Sequence, residues 1–268
     1  MFTRILGAAL AALVALPALA DEEKKPAKDA KRPLALVALI DNHNDDPMKG
    51  ALADFVGRGT TSLANLRGHY KRTKWLTGQD ATYVNFFEAI RKAAEDGYVI
   101  DVFIECHGSP ETLVVQGGRN IRGKDVRKEL YLQGGERIRL VYMMACYGST
   151  LNDDWLAVGA KGITGHLEVN SIPVFHLPVF LRHWVNGDDA KTATAAGYKF
   201  GASVGKSNLY KSLSKWFQGH QITDKEVEEE SRVVYAGQNV RISGIPTLEE
   251  EDAWVAEQIV AELDAAGK

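Results

Sequence analysis

Two short stretches of this sequence carry the residue types of a nucleophilic site: His107 followed by Gly108, and, about 40 residues downstream, Cys146 preceded by Ala145. Thiolate is the reactive form of cysteine, and a neighbouring imidazole lowers the thiol pKa and can later protonate a leaving group. A glycine directly after the histidine lets a main-chain N–H approach a tetrahedral oxyanion with no side chain in the way. The pattern predicts a catalytic dyad of His107 and Cys146, with the N–H groups of Gly108 and Cys146 as an oxyanion hole. Such chemistry requires no metal and no cofactor, and none is expected. Asp41, which ends another apolar run, is placed to line the same crevice and select a basic substrate side chain.

These motifs need elements that deliver them to one place. Residues 34–40, 99–105 and 138–145 are largely apolar, and continuous rather than alternating runs mark strands covered on both faces, as in a parallel sheet. The second run ends in Cys106-His107-Gly108-Ser109 and the third in Ala145-Cys146-Tyr147-Gly148-Ser149. In open parallel sheets the carboxyl ends of the strands form the ligand crevice, so both motifs are expected to face a common site.

Between the first two runs the pattern predicts a helix over 49–56, a strand near 69–76 and a helix over 81–96. That last helix has Val84, Phe87, Ile90 and Ala94 on one face, Asp80 as its cap and Gly97 as its left-handed stop. Further on, 163–165 reads as a short inner strand, and 177–184 and 189–200 as helices. Residues 232–235 and 240–243 read as a short antiparallel pair. Thr247 and Glu250 form a capping box opening a final helix with Val255, Ile259, Val260 and Leu263 along one stripe. Strands alternating with helices imply right-handed crossovers and an α/β three-layer sandwich with a mainly parallel central sheet. It spans residues 33–245, and 246–268 form a C-terminal helix packed on it.

The first twenty residues read as an export signal: Arg4, an apolar run over 5–16, Pro17, then Ala18-Leu19-Ala20 as a small-residue cleavage site. That run is too short to span a bilayer, so no stable membrane insertion is expected once the signal is removed. Residues 21–32 are almost wholly charged residues, Ala and Pro, which reads as a flexible tether. The expected product is exported, to the periplasm or beyond. Lys and Arg total 32 against 35 Asp and Glu, a net charge of −3, which argues against nucleic acid as a partner. The remaining candidate partner is a protein or peptide substrate.

An apolar strand ending in His-Gly, followed by one ending in Ala-Cys, resembles the caspase-like (clan CD) cysteine peptidases, which include caspases, metacaspases, legumain and gingipains. Residues 36–40 with Met48-Lys-Gly-Ala-Leu-Ala-Asp54 are similar to the first strand and helix of metacaspases, and 155–165, 180–187 and 193–197 are similar to the region after the cysteine in bacterial caspase-like domains. The resemblance implies a caspase-like fold and an endopeptidase acting through a thioester acyl-enzyme, with His107 and Cys146 as its dyad. Met144 stands where metacaspases carry an aspartate that binds a basic residue, and of the Gln-Ala preceding the caspase cysteine only Ala145 is kept. Substrate preference therefore does not carry across.

Other readings use the same residues. Oxidising compartments pair thiols, so a Cys106–Cys146 disulfide would make the chain a non-catalytic caspase-fold binding module. Against that, Cys106 directly precedes His107 and should point to the other face of its strand. Gly201-Ala-Ser203-Val-Gly205 spells a serine-hydrolase elbow, but the residues before it read as helix where a buried strand is required. A P-loop fails at Phe200, and an EF-hand fails at Asp46 and Leu52. His43, His69, His166, His176, His183 and His220 lack a matched partner motif and read as ordinary residues.

Overall fold

The computed structural model describes residues 32–41, 68–170 and 173–242. The signal, most of the tether, the helix expected over 49–56 and the helix expected after Thr247 lie outside the described residues. The described chain runs β1 (Leu34–Asp41), β2 (Tyr70–Thr77), α1 (Tyr83–Glu95), β3 (Val99–Cys106), β4 (Gly108–Ser109), β5 (Thr112–Leu113), β6 (Ile121–Arg122), α2 (Gly123–Leu130), β7 (Ile138–Met143), α3 (Asn152–Ala157), β8 (Gly162–His166), α4 (Pro173–Val185), α5 (Ala190–Gly205), α6 (Asn208–Gln218) and β9 (Val233–Gly237).

Six strands form one sheet in the order β2-β1-β3-β7-β8-β9. All neighbours are parallel except β8 and β9. β1 is buried along its whole length, because its alternate residues feed two cores. Ala35, Val37 and Leu39 join Phe86, Phe87 and Ile90 of α1 and Trp155 of α3, while Leu36, Ala38 and Ile40 join Phe180 and Trp184 of α4. That two-sided burial is why the run is continuous rather than alternating. The edge strand β2 carries Lys71, Arg72 and Lys74, charges that discourage further strand pairing.

Under the α4 face, Arg139 of β7 makes a two-pronged bond to Asp101 of β3, at 3.0 and 2.5 Å. Tyr70 donates to the same carboxylate and accepts from Trp184 Nε1 at 3.0 Å. Arg139 Nη1 donates to the carbonyls of Arg241 and Ile242. Each charge in this buried group is met, which is the condition for tolerating it in a core.

Three local expectations are corrected. Helix α1 is capped by Thr82, whose side chain accepts from the N–H of Asn85, while Asp80 lies in a preceding single turn, Gly78–Asp80. Val84 is 61% exposed; the inward face is Tyr83, Phe86, Phe87, Ile90, Ala93 and Ala94. Strand β9 pairs with β8, and within the described part of 240–243 Arg241 makes an isolated bridge to Asp189. Gly97 does end α1 with a left-handed φ of 85°.

Candidate active site

β3 and β7 run side by side in parallel, with Ile104 opposite Met143. Met144 extends the pairing one step beyond β7 by donating to the Ile104 carbonyl at 2.7 Å. The two strands therefore end together and release Cys106-His107-Gly108 next to Ala145-Cys146. A Cβ on Gly108 would collide with the carbonyl oxygen of Cys146 and lie 3.1 Å from the Ala145 Cβ. The two motifs thus touch through their main chains, and only glycine permits that approach. His107 is exposed; its carbonyl accepts from the N–H of Val114 at 2.9 Å.

The turn carrying Cys146 is held from several directions. Tyr147 takes a left-handed φ of 55°, which costs an ordinary residue about 1–2 kcal/mol and persists only where surroundings enforce it. Its N–H donates to the Glu168 carbonyl at 2.7 Å. The Thr150 hydroxyl donates to the Tyr147 carbonyl and accepts from the N–H of Glu111, both at 2.7 Å. It thereby ties the β4–β5 hairpin, which begins right after His107, to the Cys146 turn. On the far side, a Cβ on Gly165 of β8 would strike the main chain of Gly148 and Ser149.

Asn170, 6% exposed, completes the seat. Its main-chain N–H donates to Cys146 Sγ at 3.4 Å and its side-chain Nδ2 to the Met144 carbonyl at 2.8 Å. Thr164 of β8 accepts from the N–H of Met143. Sequence reasoning found none of Thr150, Gly165 and Asn170. Each is a single small or polar residue in a loop or strand, with no motif of its own, and only the fold brings it to Cys146.

Cys106 and Cys146 are both free thiols, so the alternative reading with a Cys106–Cys146 bridge does not match the structure. In the folded protein their environments differ. Burial drives the Cys106 thiol far above the usual range, with the Asp41, Cys146 and Glu105 charges adding to the effect. Burial also raises Cys146, but the N–H groups of Asn170 and of Cys146 itself pull it back. Asp41 sits opposite Cys106 in the β1–β3 register and is 3% exposed. Its Oδ1 accepts from Gln116 Nε2 at 3.1 Å; its buried Oδ2 has no hydrogen-bond partner among the described residues.

Ser203 lies exposed in the last turn of α5. That rules out the strand-to-helix elbow a serine nucleophile needs. His166, at the end of β8, and His176, on α4, are fully buried and stacked with ring centroids 5.1 Å apart. His166 Nδ1 donates to the Ser231 carbonyl at 2.9 Å, and the other three ring nitrogens have no partner among the described residues. Among the described residues no three His, Cys, Asp or Glu gather as metal ligands would, and no helix is long and apolar enough to cross a membrane.

No protein-family model and no curated protein matches the chain. Among solved structures it is similar to caspase-1 from Spodoptera frugiperda, with a TM-score of 0.51 and 12% identity over 85% of this chain and 96% of that one. A secreted C11 cysteine protease from Bacteroides thetaiotaomicron, solved with an irreversible peptide inhibitor, is matched at a TM-score of 0.40 and 9% identity over 65% of this chain and 58% of that one. The likeness to the insect caspase, together with the mostly parallel six-stranded sheet between two helical layers, gives this chain a caspase-like fold.

Proposed function

We propose that the protein is an exported cysteine endopeptidase of the caspase-like type. The observation that carries this reading is the main-chain contact of Gly108 with Cys146, which puts a His-Gly and an Ala-Cys at adjacent strand ends of a caspase-like fold. In the free protein the Cys146 thiol is protonated at neutral pH, since burial raises it. His107 accordingly acts as a general base when substrate arrives, rather than as the standing partner of a thiolate.

Cys146 Sγ attacks the scissile carbonyl carbon while its proton passes to the His107 imidazole. The resulting oxyanion is met by the N–H groups of Gly108 and Cys146. The C–N bond breaks, and the imidazolium gives its proton to the departing amine. Water, deprotonated by His107, then hydrolyses the thioester and regenerates the thiol. Asp41 supplies the negative charge for a basic side chain of the substrate.

The test is hydrolysis of a peptide library by the mature protein. Cys146→Ala and His107→Ala are each expected to lose about 10³-fold or more in kcat/KM with an unchanged circular dichroism spectrum. Full activity in Cys146→Ala would assign the hydrolysis to another group.

A further inference from the structure

The span that follows β8 is fixed residue by residue. Leu167 N–H donates to the Arg232 carbonyl at 2.9 Å, the Glu168 carbonyl accepts from Tyr147, and the Val169 carbonyl accepts from the Ser231 hydroxyl at 3.2 Å. Asn170 reaches back twice across the 24 or more residues separating it from the nucleophile turn, once with its side chain to Met144 and once with its main chain to the sulfur. Met144 is itself anchored on β3 through its N–H. The side-chain bond therefore closes a ring of fixed points: β3, Met144, the Asn170 amide, the Asn170 N–H and Cys146 Sγ.

We propose that Asn170 is a positioning residue for Cys146, whose side-chain amide, held by the Met144 carbonyl, keeps its own N–H on the sulfur, where it stabilises developing negative charge. The inference rests on the reading of Cys146 as the nucleophile. A donor aimed at an anion makes a stronger bond than one aimed at a neutral group, so the N–H favours the thiolate over the thiol. The other ionisable groups of these strand ends are His107 and Cys106 at the end of β3, Asp41 opposite Cys106 on β1, and Glu168, whose carbonyl accepts from Tyr147. Glutamine would overreach the 2.8 Å span, aspartate would set an acceptor against a carbonyl, and alanine would remove this donor from the carbonyl.

The experiment is the pH dependence of iodoacetamide alkylation of Cys146 in the intact mature protein, read by mass spectrometry of the Cys146 peptide. It compares wild type with Asn170→Ala, Asn170→Asp and Asn170→Ser, each also melted thermally. The alkylation midpoint is expected to rise by about one pH unit in Asn170→Ala, about a tenfold loss of thiolate at a given pH, and further in Asn170→Asp. Asn170→Ser, which keeps a short donor, should fall between wild type and alanine, and it carries the test should the aspartate variant fail to fold. On peptide substrates kcat should fall with KM little changed. A lowered melting temperature with an unmoved midpoint in the alanine and serine variants would overturn the inference and leave Asn170 as a structural residue. A wild-type protein that cleaves no peptide would overturn the peptidase reading, while the alkylation midpoints would still decide the role of Asn170.

Discussion

Asp41 keeps a buried carboxylate of which one oxygen is bonded to Gln116 and the other has no partner among the described residues. A buried carboxylate oxygen with no donor is costly to keep, and an incoming cation offsets that cost. Asp41→Asn should therefore lower kcat/KM for substrates with Arg or Lys at the cleaved position by about 10–100-fold and leave uncharged substrates little affected. A panel of peptides varied at that position reads the difference, and an equal loss across the panel would make Asp41 a structural acid. At this scale the sequence is legible wherever chemistry uses a small vocabulary. His107, Gly108, Cys146 and Asp41 stand out by type and neighbour. Thr150 and Asn170 do not, because a lone hydroxyl or amide in a loop looks the same whether it faces water or the Cys146 turn.

The elements are readable to the extent that burial is two-sided or periodic. β1, β3 and β7 follow from their apolar runs, and α1 from its spacing. The start of α1 differs from the expectation because Asp80 and Thr82 are both good caps, and the turn Gly78–Asp80 delays the helix until Thr82. The partner of β9 differs because strand pairing is set by the sheet edge that remains open, a property of the assembled fold. The Gly201–Gly205 string fails for the opposite reason: α5 runs on to Gly205, so the motif never reaches a strand end. Gly165 shows an element acting on the site. A methyl there must displace the main chain of Gly148 and Ser149, and overpacking of this kind costs about 1–3 kcal/mol. Gly165→Ala is expected to lower the denaturation midpoint accordingly and to reduce kcat/KM at least tenfold, with the helical circular dichroism signal kept. Wild-type activity in that variant would mean the Cys146 turn does not depend on its bed against β8.

Across the whole molecule, the buried His166–His176 pair gives stability a pH dependence. Burial lowers His166 to about 4, and burial together with the His166 charge holds His176 well below the usual histidine range. Unfolded, both titrate at about 6.5. Above that pH neither state binds the protons and the full stability is present. As pH falls from there towards about 4, where His166 is protonated in the folded state too, the unfolded chain takes up protons that the fold refuses. Stability is lost at ~1.4 kcal/mol per pH unit for each histidine. The urea midpoint should therefore drop between about pH 6.5 and 4.5, and His176→Phe, which keeps a ring in the stack, should flatten that slope. Equal slopes would place the acid sensitivity elsewhere.

For a chain exported as proposed, the seclusion of Cys106 would set a race during maturation. Once β1 and β3 have paired, its sulfur is sealed in the core and an oxidant meets only Cys146. Before they pair, both thiols are open, and an oxidising compartment can join them across the intervening loop. Such a cross-link would trap the chain with Cys146 consumed. The yield of competent exported protein would then depend on how quickly two parallel strands zip up relative to thiol oxidation, a kinetic partition that the finished fold no longer reveals.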